Sequence, residues 1–350
     1  MTTGADDSDY WTNLPGPSVE GGDGASTPAL NVETIEGVEP LDAQLGVAEP
    51  LTVPPALYEA LFGQPEVIEG RAILPLHTYA VLDAAKLPGL PEMLETSGLD
   101  HACLFQGAAA EELRDVAPYL VRLEEGHRFT RGLFTQGEGP GDMWDRESGI
   151  FLRSQGSLND LRKHLRKFTK LQDGEGKWFY FRFWEHHVQE ALIHGGAGTR
   201  AFSNNMLAPI GGWSQRWLIA DVAAGRLICL EGPAVEGWSS SPIWLDPDTF
   251  AALGTATRIR LMRDEAIAAL CLSPQRQRED RIFPSDLEEL WSRLRKTGFA
   301  EPKDRIQAMS LYLRYHASGR HEEAWAVLSE PGPGPGIRLW RLSQAIVEQS

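Results

Sequence analysis

The stretch from Gly149 to Leu192 constrains the fold more than any other part of the chain. It reads GIFLRS, then LNDLRKHLRKF, a charged glycine turn DGEGK, and the aromatic run WFYFRFWE. A short apolar run, a basic amphipathic segment and a second apolar run in this order predict a strand, a crossover helix and a strand, that is, a βαβ unit. Leu158, Leu161, Leu165 and Phe168 recur at helical spacing while Arg162, Lys163, Arg166, Lys167 and Lys170 take other positions, so the helix has one apolar and one cationic side. Ser157 is placed to cap its start, because its hydroxyl can accept from an amide that has no partner within the helix. In the last run Phe179, Phe181 and Phe183 alternate with Trp178, Tyr180 and Arg182, which puts a wholly aromatic face into a core. Burying each such ring is worth roughly 1.5 to 3 kcal/mol.

The same alternation of strands and helices extends on both sides. RAILPLHTYAVLDAA gives an apolar run from Ala72 to Leu82 that reads as a strand ending at Asp83, and PGLPEMLETSG reads as a helix closed by Gly98. HACLF and APYLVRL read as strands with the helical AAEELRDV between them, and RWLIADV with GRLICLEG reads as a hairpin. The expected class is an α/β lobe over residues 54–240, built on a mixed sheet with flanking helices. Past Pro242 the texture changes to four helical patterns, with a fifth after PGPGPG, so residues 242–350 are expected to form an all-α lobe.

Charge separates a third region. Residues 1–70 carry thirteen acidic groups and no lysine or arginine, whereas the remaining 280 residues carry 36 acidic against 33 basic groups, so most of the net charge of −16 belongs to the N-terminal part. Residues 1–50, rich in Gly, Pro, Ser and acid, are expected to form a disordered tail, either solvating or docking through Tyr10 and Trp11. Such an acidic chain is a poor match to nucleic acid. No apolar run reaches the roughly 20 residues a membrane span needs, and the start lacks the pattern of a secretory signal. Cys103, Cys229 and Cys271 are odd in number and without CxxC spacing, which favours reduced thiols in the cytoplasm.

The usual signatures of chemistry are missing from the sequence. There is no GxSxG elbow to accompany the loop His194-Gly195-Gly196-Ala197-Gly198, and Gly174-Glu175-Gly176-Lys177 precedes a strand, not the helix that a phosphate loop requires. Glu185-His186-His187 and His194 form the only histidine cluster, with Glu190 between, and its spacing is too wide for a tetrahedral metal, so no metal or other cofactor is expected. Asp83, at a strand end and near His77 and His101 in sequence, is the one candidate acid for an alternative reading as a hydrolase. Trp213, Trp217, Trp238 and Trp244 crowd the junction of the two lobes in sequence; they read mostly as core, and as partner-binding residues if the junction is a surface.

LDAA, LFQG, VAPYLVRL, GIFLRS, HLRKF and FRFWE occur in this order between His77 and His194. The ordered set resembles the domain-of-unknown-function family 4123. That resemblance implies a non-enzymatic adaptor or chaperone of a bacterial type VI secretion system: a cytoplasmic protein that binds a cognate toxin effector and helps load it onto the valine-glycine-repeat (VgrG) spike. A structural component of the secretion apparatus is the other reading compatible with it.

Overall fold

A computed structural model describes residues 29–65, 74–172, 176–210, 215–222, 224–232, scattered positions between 247 and 257, 284–317 and 319–347. The chain divides into two compact units, Met1–Leu253 and Gly254–Ser350.

In the first unit the elements run β1 (Asn31–Glu36), α1 (Tyr58–Phe62), β2 (His77–Asp83), α2 (Leu90–Ser97), β3 (His101–Cys103), α3 (Ala108–Glu112), β4 (Pro118–Leu123) and α4 (Arg128–Phe134). They continue as β5 (Gly149–Ser154), α5 (Leu158–Leu165), β6 (Lys170–Gln172), β7 (Trp178–Tyr180), α6 (His186–His194), α7 (Ala197–Met206), β8 (Gln215–Asp221) and β9 (Arg226–Glu231). Seven strands form one sheet in the order β1-β9-β8-β5-β2-β4-β3, and β6 with β7 forms a separate ribbon. Every ladder among the described residues is antiparallel; the one parallel contact is the isolated bridge of Leu41 with Thr135.

Successive side chains of a strand face opposite ways, and here both faces are covered. Ala80 and Leu82 of β2, Phe151 of β5 and Leu218 of β8 pack with Leu57, Leu61, Leu90, Leu94, Phe129 and Phe134 from α1, α2, α4 and their flanks. Tyr79, Val81, Ile150, Leu152, Trp217 and Ile219 pack on the other side with Leu161 and Leu165 of α5, Val188 and Leu192 of α6, and Phe202 and Met206 of α7. Burial on both faces is why these antiparallel strands read as continuous apolar runs.

Two expectations change. Gly149–Leu192 is not a βαβ unit: β5 is flanked by β2 and β8, so neither edge of it is open to a parallel strand. The aromatic run pairs instead with the residues just before it, Lys170 opposite Tyr180 and Gln172 opposite Trp178. Its alternation holds nonetheless. Phe181 and Phe183 are buried while Trp178 and Tyr180 are exposed. The second change concerns residues 31–50 of the expected tail. Asn31–Glu36 extends the sheet as β1 against β9, and Val38 and Leu41 are buried. Within the polar composition, the Val32-x-Thr34 and Ile35 β-formers and a salt link from Glu33 to Arg216 secure this strand. Residues 1–28, with Tyr10 and Trp11, lie outside the described residues.

Arg153 of β5 is buried and ties α1 to the sheet. Its guanidinium donates to the carbonyls of Leu61 and Gly63, at the end of α1, and to Thr78 Oγ1 at 2.7 Å. Carbonyls at a helix C-terminus lack internal donors, so a cation there is well placed. Burial pushes the Arg153 guanidinium down to about 10.

The second unit holds α8 (Pro284–Lys296), α9 (Pro302–Ala317), α10 (His321–Leu328) and α11 (Pro335–Val347), with α9 touching the other three. Gly298, at φ 96°, closes α8 as its sequence position suggests. The helical pattern between 258 and 283, with Cys271, lies outside the described residues. Leu294, Phe299, Met309, Ala324, Leu328 and Leu342 form the core. Arg338 of α11 is buried there, donating to Thr297 O at 2.9 Å and Leu328 O at 2.5 Å, with its guanidinium 4.5 Å from the centre of the Phe299 ring.

Candidate functional site

Two of the ordered sequence pieces, LDAA and FRFWE, meet at the C-terminal end of β2. Asp83, the last residue of that strand, is wholly buried. Its Oδ2 accepts from the Arg182 guanidinium and from the Trp184 indole Nε1 at 3.0 Å, and its Oδ1 accepts from the amide of Ala85 at 2.9 Å. Arg182 passes on to Glu185, Nε to Oε1 at 2.6 Å, and Glu185 Oε2 lies 3.2 Å from His187 Nδ1. Burial, reinforced by Lys86, His186 and Arg182 nearby, pushes His187 down to about 4. The ring is therefore neutral and donates Nδ1–H to the carboxylate.

A carboxylate sealed from water and bonded to three donors serves as a joint between segments. A general acid needs access to the proton it moves, and Asp83 has none. The sequence neighbours of Asp83 do not join it either. His77 stands at the other end of β2, six residues or about 20 Å away along the strand.

His77 and His101 do come together there. With Tyr79, Asp100, Arg122, Gln155 and Ser157 they line a recess of about 470 Å³. Arg122 donates through Nη2 to His77 Nδ1 at 3.1 Å, and its Nη1 lies 3.9 Å from Asp100 Oδ2. His101 Nδ1 donates to Leu99 O at 2.8 Å. Burial and the Arg122 charge hold His77 below its usual range. One nitrogen of each ring is thus committed to the protein.

His186, Glu190 and Asp221 are the one group among the described residues whose potential ligand atoms lie within 4.8 Å of one another. Within it, His186 Nδ1 lies 3.9 Å from Glu190 Oε2. Asp221 is moreover held by Arg226 Nε at 2.9 Å and the amide of Ala224 at 3.0 Å. Of the three, Asp221 is thus already engaged by a guanidinium. His187 is turned to Glu185, and His194 is exposed.

Of the four tryptophans at the junction, Trp217 is 1% exposed. Its ring centre lies 5.6 Å from that of Phe183, and its indole N–H donates to Gln215 Oε1 at 3.2 Å. It belongs to the core beneath the sheet, so its expected place at a partner surface is corrected. Trp213, Trp238 and Trp244 lie outside the described residues. The aromatic side chains that do face outward are Trp178 and Tyr180, 36% and 49% exposed, with Lys170 Nζ 5.7 and 6.0 Å from their ring centres. Sequence reading passed over them because the same alternation drew attention to the phenylalanines. It also missed Arg182 and Glu185 as the partners of Asp83 and His187, since only folding brings segments 99 residues apart together.

The first unit is an α/β domain built on an antiparallel sheet with helices on both faces, in which one charged joint fastens β2 to the segment after β7. Residues 78–198, from β2 into α7, match the family described as a domain of unknown function (DUF4123). No curated protein and no solved structure matches the chain. Among the described residues no helix is long and apolar enough to cross a membrane.

Proposed function

We propose that this protein is a non-enzymatic adaptor: a cytoplasmic chaperone that binds a specific toxin effector and assists its loading onto the VgrG spike of a type VI secretion system. The observation that carries the reading is the use made of the family-matching charged residues. Asp83, Arg182, Glu185 and His187 are spent on one another as a structural joint, while the aromatic residues beside them, Trp178 and Tyr180, are presented outward. Exposed aromatic side chains bring large contact area at low rotamer entropy, which suits a surface for another protein. A specific complex of this kind buries on the order of 1,200 to 2,000 Å².

Co-expression with the product of a neighbouring toxin gene and with the VgrG protein tests the proposal. A complex that survives size-exclusion chromatography, with the toxin losing solubility when expressed alone, is the expected result. A protein that stays monodisperse and ignores both would overturn it. Retention of the chain in purified secreted particles at fixed stoichiometry would move the assignment to a structural component.

A further inference from the structure

The outward face of α5 and of the β6–β7 ribbon joins a row of lysines to two aromatic rings. Lys163 and Lys167, one turn apart on α5 and its continuation, lead to Lys170 at the start of β6, and all three are exposed. Among the described residues none of the three makes an ion pair. The acid on the same helix, Asp160, is turned to the cap instead, where it accepts from Ser157 Oγ at 2.6 Å. Lys170 then stands over Trp178 and Tyr180, and Tyr180 is propped from beneath by the buried Phe105, ring centres 5.1 Å apart. In a chain of net charge −16 this face is a local cationic exception.

We propose that this face docks an acidic segment of a partner protein, its carboxylates along Lys163, Lys167 and Lys170 and an apolar side chain against Trp178 and Tyr180. The identity of that partner as the toxin or the spike rests on the adaptor reading; the chemistry of the face does not. Charge complementarity selects the occupant, because opposite potentials steer encounter and fix register. Stacking rings beside cations also suit single-stranded nucleic acid. A long polyanion, however, meets the field of the whole acidic chain, whereas a short acidic segment meets the lysines alone. The rings are pre-positioned, so little rotamer entropy opposes docking.

Fluorescence anisotropy of a labelled peptide rich in Glu and Asp with one Leu, titrated with the full-length protein, is the test. Binding should weaken as salt rises, since exposed charges are screened within about 10 Å at 0.1 M ionic strength. K163E/K167E/K170E should weaken it by about tenfold or more, K163Q/K167Q/K170Q by less, and W178A/Y180A severalfold, with circular dichroism unchanged. Equal binding by the charge-reversed variant overturns the proposal, as does tighter binding of a single-stranded oligonucleotide. A marked gain in affinity in full-length D6N/D7N/D9N assigns the face to the chain's own acidic N-terminal residues and overturns it too. Peptide binding without toxin capture supports this face and counts against the adaptor reading. Toxin capture undiminished in K163E/K167E/K170E does the reverse.

Discussion

The guanidinium of Arg182 lies against the carboxylate of Asp83, joining two points 99 residues apart in the chain. The two side chains differ in exposure: Asp83 has none, and the Arg182 side chain is 44% exposed. Removing the arginine therefore strands a buried charge, while removing the charge on the aspartate leaves a cation that can turn toward water.

Arg182→Met should accordingly cost roughly 3 to 5 kcal/mol, and Asp83→Asn, which keeps an acceptor for Trp184 Nε1, about 1 to 2 kcal/mol. Urea unfolding of the two variants checks the order. An asparagine variant that loses as much as the methionine variant would show that the joint does not work through the buried charge.

Gly149 begins β5 opposite Leu82, and a Cβ there would lie far inside van der Waals contact with the Val81 carbonyl oxygen. Backbone of a central ladder has little room to retreat. Gly149→Ala is expected to destabilise the first unit by about 2 kcal/mol or more, read as a drop in thermal midpoint. An unchanged midpoint would mean that the β2–β5 ladder can spread.

Acid should weaken the fold through two histidines. His164 lies on the inner side of α5, its Nε2–H donating to Met206 O at 2.8 Å, and burial pushes it down to about 4, as it does His187. Unfolded, each ring titrates near 6.5, so between about pH 6.5 and 4 the unfolded chain binds more protons. Stability is full above that window, declines as pH falls through it, and levels off below. Each ring contributes roughly 3 kcal/mol at most by this linkage. His164→Gln should flatten the decline of the thermal midpoint, and a slope identical to the parent's would remove His164 from the account.

In the helical unit Arg338 joins the ends of α8 and α10 by donating to Thr297 O and Leu328 O. Arg338→Met leaves those carbonyls without their donor and should cost roughly 2 kcal/mol. Arg338→Lys should fall between, because an ammonium lacks the planar fork that reaches two carbonyls and stacks on Phe299. Urea denaturation that ranks lysine no better than methionine would point to volume and not to donation.

Most individual elements were legible from the sequence, because periodicity and caps act over a few residues: Gly98 does close α2, and the hairpin from Gln215 to Glu231 is in place. What failed was pairing. The order of strands depends on which edges are already taken, and nothing local to Gly149–Leu192 says that β2 and β8 occupy both edges of β5. Asp83 was noticed from its position at a strand end, but its role was not, since Arg182 and Trp184 reach it only once the chain has closed. Trp217 likewise carried the same letter whether it faced a partner or Phe183.

β1 forms the outermost rail of the sheet and sets Glu33 and Glu36 along it, with Glu33 linked to Arg216 and both carboxylates exposed. A stray strand attempting to extend the sheet at this border meets anionic side chains instead of an open apolar margin. The acidic side chains of β1 thereby guard this border against self-assembly, and replacing Glu33 and Glu36 with neutral residues should raise the tendency of the chain to aggregate.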